Sequence, residues 1–202
     1  MTQEAEYEDT KKKLLSTGIR VGTEVKTKFM IPYITQASSD GLYLFDLDIT
    51  LSRIQTAAKF IKKFDIKKVI VYSGRTYAMT PIEKFCELTG AEKMLGRFMP
   101  GTLTNPSLPY YSEPKLIIVS DPQVDAQAVT EATNAGIPII GIANTDNVTS
   151  KLDLVIPANN RGRKSLATIY WLLASEILQD SKTMKYEIDD FETKTAEVEE
   201  EL

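Results

Sequence analysis

Two sets of side chains in this 202-residue sequence can do chemistry by their type and spacing. The first is acidic and hydroxylic: Asp46-Leu47-Asp48-Ile49-Thr50 at the end of one apolar run, Ser73 at the end of a second, and Asp121 and Asp125 after a third. Carboxylates gathered at strand ends can hold Mg²⁺, which neutralises a phosphate while an aspartate attacks it. The second set is cationic. Asn159-Asn160-Arg161-Gly162-Arg163-Lys164-Ser165 places three cations beside the start of a helix, and Lys26, Lys28, Arg75 and Arg97 lie on other loops. Cations at the positive end of a helix dipole are unfavourable by themselves, and a bound anion reverses that sign. Each set also has a plain explanation, because Asp, Ser and Thr cap helices at strand-to-helix junctions and charge runs are commonly solvated.

Composition removes several alternatives. There is no histidine and one cysteine, Cys86, so no internal disulfide, zinc site or histidine-dependent catalysis is expected, and no cofactor is implied. The net charge is -4, yet residues 187–202 alone hold eight acids against one base, Lys194. Setting aside that segment together with Glu4, Glu6, Glu8 and Asp9 leaves 23 bases against 16 acids, so the body is basic and suits a polyanionic partner. No apolar run approaches the roughly 20 residues that cross a bilayer, and the acidic N-terminus is unlike a secretory leader. A soluble, cytoplasmic protein without a membrane partner is expected. Neither a GxGxxG nor a Walker loop is present, which disfavours a small-molecule nucleotide binder.

Five β-branched, nearly continuous apolar runs, Leu42–Leu47, Lys68–Ser73, Lys115–Ser120, Pro138–Ala143 and Asp153–Ile156, read as strands buried on both faces. Helical periodicity follows at Ser52–Phe64, where Ile54, Ala57, Ala58 and Ile61 form the apolar stripe. A second helix is predicted from the Thr80-Pro81-Ile82-Glu83 capping box to Gly90, a third from Asp121-Pro122 to Gly136, and a last from about Lys164 to Leu178. Alternation of this kind predicts a three-layer α/β/α fold with a flavodoxin-like or Rossmann-like parallel sheet of about five strands. Val21–Gly41 reads as an extended excursion or hairpin beside the sheet, with a turn at Asp40-Gly41. Gly96–Pro114, carrying Arg97, Phe98, Tyr110 and Tyr111, is a long loop of a kind uncommon without a task; its aromatics are candidates to stack on unpaired bases, although each taken singly is expected in the core rather than as a platform. The expected organisation is an acidic N-terminus over 1–9, one domain over 10–180, and an acidic, disordered tail over 181–202.

Asp46-Leu47-Asp48-Ile49-Thr50 matches the Asp-x-Asp-x-Thr motif of the haloacid-dehalogenase phosphatases. That resemblance implies a magnesium-dependent phosphohydrolase with Asp46 as nucleophile, Asp48 as acid/base, Ser73 on phosphate and Asp121 with Asp125 on the metal. The pattern departs from that family: Lys84 and Lys93 are only candidates for its lysine, Ser120 stands where a glycine commonly precedes the acid, and the cap domain has no counterpart.

A broader resemblance covers residues 10–180. Gly22-Thr23 through Pro32-Tyr33-Ile34, Gly96 through Pro106, Ser120 through Ala128, and Ile156-Pro157-Ala158-Asn159-Asn160-Arg161-Gly162 closely resemble the archaeal branch of the ribosomal protein S-two family, whose eukaryotic relative is ribosomal protein SA. The resemblance implies a flavodoxin-like sheet, no catalytic activity, and binding to small-subunit ribosomal RNA and neighbouring ribosomal proteins, with no DNA partner. Within that frame Lys26, Lys28, Arg75, Arg97, Arg161, Arg163 and Lys164 are the expected phosphate contacts. The family usually carries basic residues where this chain has Asp48-Ile49, so no basic contact is expected there.

Overall fold

The computed structural model describes residues 14–178 and 186–193. Strands β1 (Ile34–Ala37) and β2 (Tyr43–Phe45) pair antiparallel as a hairpin, closed by a turn in which Gly41 adopts φ 81°. Helix α1 (Leu47–Ile61) follows, burying Ile54, Ala57, Ala58 and Ile61 as their spacing predicts. Then come β3 (Val69–Ser73), α2 (Thr76–Thr89), β4 (Glu92–Leu95), β5 (Leu116–Val119), α3 (Ala126–Ala135), β6 (Ile139–Ala143), β7 (Leu154–Pro157) and α4 (Arg163–Leu178). The last five strands form one parallel sheet in the order β4-β3-β5-β6-β7.

Because successive strand residues face opposite ways, the apolar runs feed two cores. Val69, Val71, Leu116, Ile118, Ile140 and Ile142 face α1, α2 and α4, whereas Ile70, Tyr72, Ile117, Val119 and Ile139 face α3. A single ten-residue helix is narrow cover for its face. The long loop completes it, with Phe98 and Leu103 buried in the same cluster as Ala128, Val129 and Ala132.

The expected three-layer α/β/α fold is thus what forms, with one exchange of strands. The run predicted at Leu42–Leu47 stays in the hairpin, outside the parallel sheet, and the fifth sheet strand is β4. Glu92 and Lys93 of β4 are exposed, as suits an edge strand, so that segment has no apolar run to announce it.

Two helix starts also move. Helix α2 begins one turn before Thr80, leaving Pro81 inside it, and α3 begins at Ala126 after a turn over 121–125. Proline has no N–H, so the carbonyl of Tyr77, four residues earlier, loses its helical donor. The Thr193 hydroxyl donates to that carbonyl at 3.1 Å.

That contact belongs to a second difference. The acidic tail expected to be disordered is docked over 186–193: Ile188–Phe191 form a 3₁₀ turn with a Glu187/Asp190 capping box, and Phe191 is fully buried against the main core. Trp171 Nε1 donates to the Tyr186 carbonyl at 3.2 Å, and Tyr186 Oη donates to Glu87 at 2.6 Å beneath the Lys84 ammonium. Alternating Tyr186, Ile188 and Phe191 with acids lets one side of an acidic segment pack while the other stays in water. The expectations for residues 1–9 and for the tail beyond 193 lie outside the described residues. Among the described residues no helix is long and apolar enough to cross a membrane.

Candidate nucleic-acid interface

All connections that leave the carboxyl ends of the parallel strands emerge on one edge of the sheet. Arg75 follows β3, Arg97 follows β4, Asp121 follows β5, and Arg161 lies between β7 and α4, whose first turn carries Arg163 and Lys164. The excursion before β1 is laid over the same edge. Thr27 N donates to the Thr145 carbonyl and Thr23 N to Thr145 Oγ1, both at 2.9 Å, while Thr27 Oγ1 donates to the Asn147 carbonyl. A Cβ on Gly22 would lie 2.4 Å from Thr145 Cγ2 and 2.8 Å from the Tyr43 carbonyl, so only glycine permits this approach. Lys26 and Lys28 thereby join the edge, and all seven cations singled out in the sequence share it.

Their circumstances differ. Arg75 donates through Nε (2.8 Å) and Nη2 (2.5 Å) to Oδ2 of Asp121, which is fully buried, so its charge is already matched. Arg161 pairs with Asp146. The Arg163 guanidinium stands 5.9 Å from the Tyr77 ring centroid and the Lys26 ammonium 4.6 Å from that of Tyr43. Lys28, Arg97 and Lys164 are exposed and have no ion-pair partner among the described residues. Phe98 is not available to stack on a base: it is buried edge-to-face on Tyr72, 5.1 Å between centroids. Tyr110 is the exposed aromatic of that loop, and Tyr111 donates to Glu113.

Beneath the cations lies a buried polar framework that sequence reasoning missed. Asn147 Oδ1 accepts from Asn144 N (2.6 Å) and Asn160 Nδ2 (3.1 Å), and its Nδ2 donates to Asp121 Oδ1 (3.3 Å). Asn160 Nδ2 also reaches the Ile142 carbonyl. Asn159 Oδ1 accepts from Arg161 N and Gly162 N, its Nδ2 donates to the Gly18 carbonyl, and Ser165 Oγ closes back onto the Asn159 carbonyl at 2.6 Å. The Asn-Asn pair is therefore scaffolding that orients the basic turn. Glu131, buried on α3, performs the same service for the long loop by accepting from Gly101 N (2.8 Å) and Leu103 N (3.2 Å). The legible signal for the first framework was the run of hydrogen-bonding side chains Asn144-Thr145-Asp146-Asn147 directly after a strand; Glu131, alone on a helix, had none.

The acidic motif is accounted for without chemistry. Asp46 caps α1, its Oδ1 accepting from Asp48 N (2.9 Å) and Ile49 N (3.4 Å), and Thr50 Oγ1 donates to the Pro157 carbonyl at 2.7 Å. Its strand is in the hairpin, so the pair does not stand at the carboxyl end of a central parallel strand as the phosphatase reading requires. Ser73 Oγ accepts from Arg75 N, and Asp121, expected to cap a helix at that point, instead holds Arg75, Asn147 and the Gln123 N–H. Asp125 accepts from Gly74 N (2.8 Å) and Asp121 N (3.2 Å); burial pushes its carboxyl up to about 7, and the nearby Asp121 charge adds to the rise. Among the described residues no three acid or thiol side chains are grouped to hold a metal ion.

Comparison with known proteins follows the same line. A sequence model of the family Ribosomal protein S2 matches residues 14–108 and 109–180. The chain is similar to small ribosomal subunit protein uS2 of Nitrosopumilus maritimus (strain SCM1), 68% identical over 205 residues, covering 98% of this chain and 99% of that protein. It is 59% identical to the uS2 protein of Cenarchaeum symbiosum (strain A) over 90% of both chains, and 50% identical to that of Thermoplasma volcanium over 87% of this chain and 92% of that one.

Proposed function

The chain belongs to the Ribosomal protein S2 family, and from that premise we propose that it is a structural constituent of the small ribosomal subunit, docking its carboxyl edge on small-subunit ribosomal RNA. The family is one of structural proteins rather than enzymes, which agrees with an acidic motif consumed by capping. The similarity over nearly the whole chain carries the subunit role. The choice of face rests on the convergence of cations there.

On this reading Lys28, Arg97 and Lys164 offer unpaired charge to phosphates, Lys26 and Arg163 offer charge held over a ring, and Arg161 must leave Asp146 or share it. Arg75 contributes least, because its fork already grips a buried carboxylate. Backbone contacts of this type give affinity and register rather than base selection. Neighbouring small-subunit proteins are the second class of partner; exposed Val25, Phe29 and Ile31 on the excursion are apolar surface for them. The location that follows is the cytoplasm, with the ribosomes.

Sedimentation of a cell extract, with the chain followed by mass spectrometry, tests the reading. Comigration with small subunits that is lost at high salt is the expected result. A chain that stays at the top of the gradient at low salt overturns it.

A further inference from the structure

Arg20, which the sequence reading passed over, is held in place by its neighbours. The Ile19 carbonyl accepts from Asn159 N (2.9 Å), the Arg20 carbonyl accepts from Phe45 N (2.9 Å), and Val21 bridges Leu44. Its backbone is thus wedged between the basic turn before α4 and the hairpin that leads into α1, on the cation-bearing edge. The side chain is half-buried, and its Nε is buried with no hydrogen-bond partner. Among the described residues the guanidinium also has no ion pair or ring contact.

This is an expensive arrangement. An unsatisfied buried donor is destabilising, more so when it is charged, and native folds leave few such groups. The edge has arginines that avoid the cost: Arg75 has Asp121 and Arg161 has Asp146. Through the contact of Asn159 N with the Ile19 carbonyl, Arg20 lies beside the turn that carries Arg161, and among the described residues no carboxylate pairs with it. A guanidinium presents two parallel donors that match two oxygens of one phosphate.

We propose that Arg20 is a phosphate-binding residue of this edge, using its Nη groups, which are not buried as Nε is, to grip one phosphate of the bound RNA. The proposal rests on the reading of the edge as an RNA-docking face. Among the described residues the guanidinium charge has no partner in the free protein, and the bound RNA supplies one. A purely structural arginine would behave in the opposite way, because its removal would harm the fold and leave binding alone.

The test uses the full chain and transcribed full-length small-subunit ribosomal RNA, with affinity measured across a salt series and thermal melts of the free protein. Arg20→Met keeps most of the apolar stem and removes the orphan donor. It is expected to bind about tenfold more weakly, to lower the salt slope by about one unit, and to melt at or above the wild-type temperature. Arg20→Lys should keep the slope while recovering only part of the affinity, since a point charge lacks the fork. Wild-type affinity in either variant, or an Arg20→Met protein that melts lower with an unchanged slope, overturns the proposal. Should Arg20→Met fail to fold, Arg20→Lys alone decides by the same affinity criterion. Failure of the wild-type chain to bind the RNA would sink the docking face itself, a distinguishable result.

Discussion

Two helix N-termini on the same edge have opposite electrostatic outcomes. Helix α1, 15 residues long, is led in by Asp46, whose carboxylate caps it, and Asp48 adds a second acid in the first turn. Helix α4, 16 residues long, has no acid in its first turn; the neutral amide of Asn159 shapes the turn before it, and Arg161, Arg163 and Lys164 surround it. Both helices present free N–H groups and a positive dipole end. At α1 the chain supplies its own anions and nothing is left over. At α4 no acid stands in the first turn and Asp146 matches only Arg161, so a positive potential is left over and the position is suited to an anion from elsewhere. A motif that looks like chemistry can be one whose demands are already met, and the ligand face is where charge remains unmatched.

That contrast can be broken most directly by neutralisation. Replacing Arg161, Arg163 and Lys164 together with glutamine should weaken binding to small-subunit ribosomal RNA about a thousandfold and reduce the salt slope by about two to three units. The paired Asp46→Asn, Asp48→Asn protein should bind at least as well as wild type in the same titration, and an equal loss there would erase the distinction. Next in size is a pH effect located at a third helix start. Asp125 has a folded pKa raised to about 7 from 3.8, so it binds its proton more tightly folded than unfolded. Its contribution to stability is therefore complete below about pH 4 and is lost as pH rises through about 7, by on the order of 3 kcal/mol. Urea unfolding across that window should show the decline, and Asp125→Asn should flatten it.

Smaller effects sharpen the comparison. Asp46→Ala removes the cap of α1 and should cost about 1 kcal/mol in chemical denaturation without changing RNA affinity. Asp146→Asn frees Arg161 from a partly exposed pair, for which about a threefold gain in RNA affinity is expected, with a slightly steeper salt slope. A loss of affinity in Asp146→Asn would mean that the pair positions Arg161 for binding instead of competing with it.

Strand-helix alternation, the apolar stripe of α1, the glycine stops at Gly90 and Gly136, and the basic stretch before α4 were all visible as local patterns. Local patterns also misled where long-range partners decided. Thr80-Pro81 has the chemistry of a helix start, but one more turn forms ahead of it and Thr193 supplies a donor to the carbonyl the proline leaves. Phe98 is different: beside an arginine on a loop it was a candidate to stack on a base, but a core place was the expectation for it taken singly, and the face that α3 leaves uncovered draws it inside. Phe191 was hidden among acids, which suppress any sign of burial when a segment packs on one side only.

Composition, periodicity and capping residues sufficed to determine the class of fold, the basic character of the body beneath an acidic total, and the segments from which a polyanion-binding face would be drawn. These are properties of neighbours along the chain, and neighbours along the chain are what a sequence displays. Which cations remain unmatched was decided only in three dimensions. Arg75 meets Asp121 across 46 residues, Arg161 meets Asp146 across 15, and Arg20 meets no carboxylate among the described residues. Charge balance at a surface depends on distances of a few ångströms, and the crossovers of a parallel sheet set those distances between residues far apart in the chain.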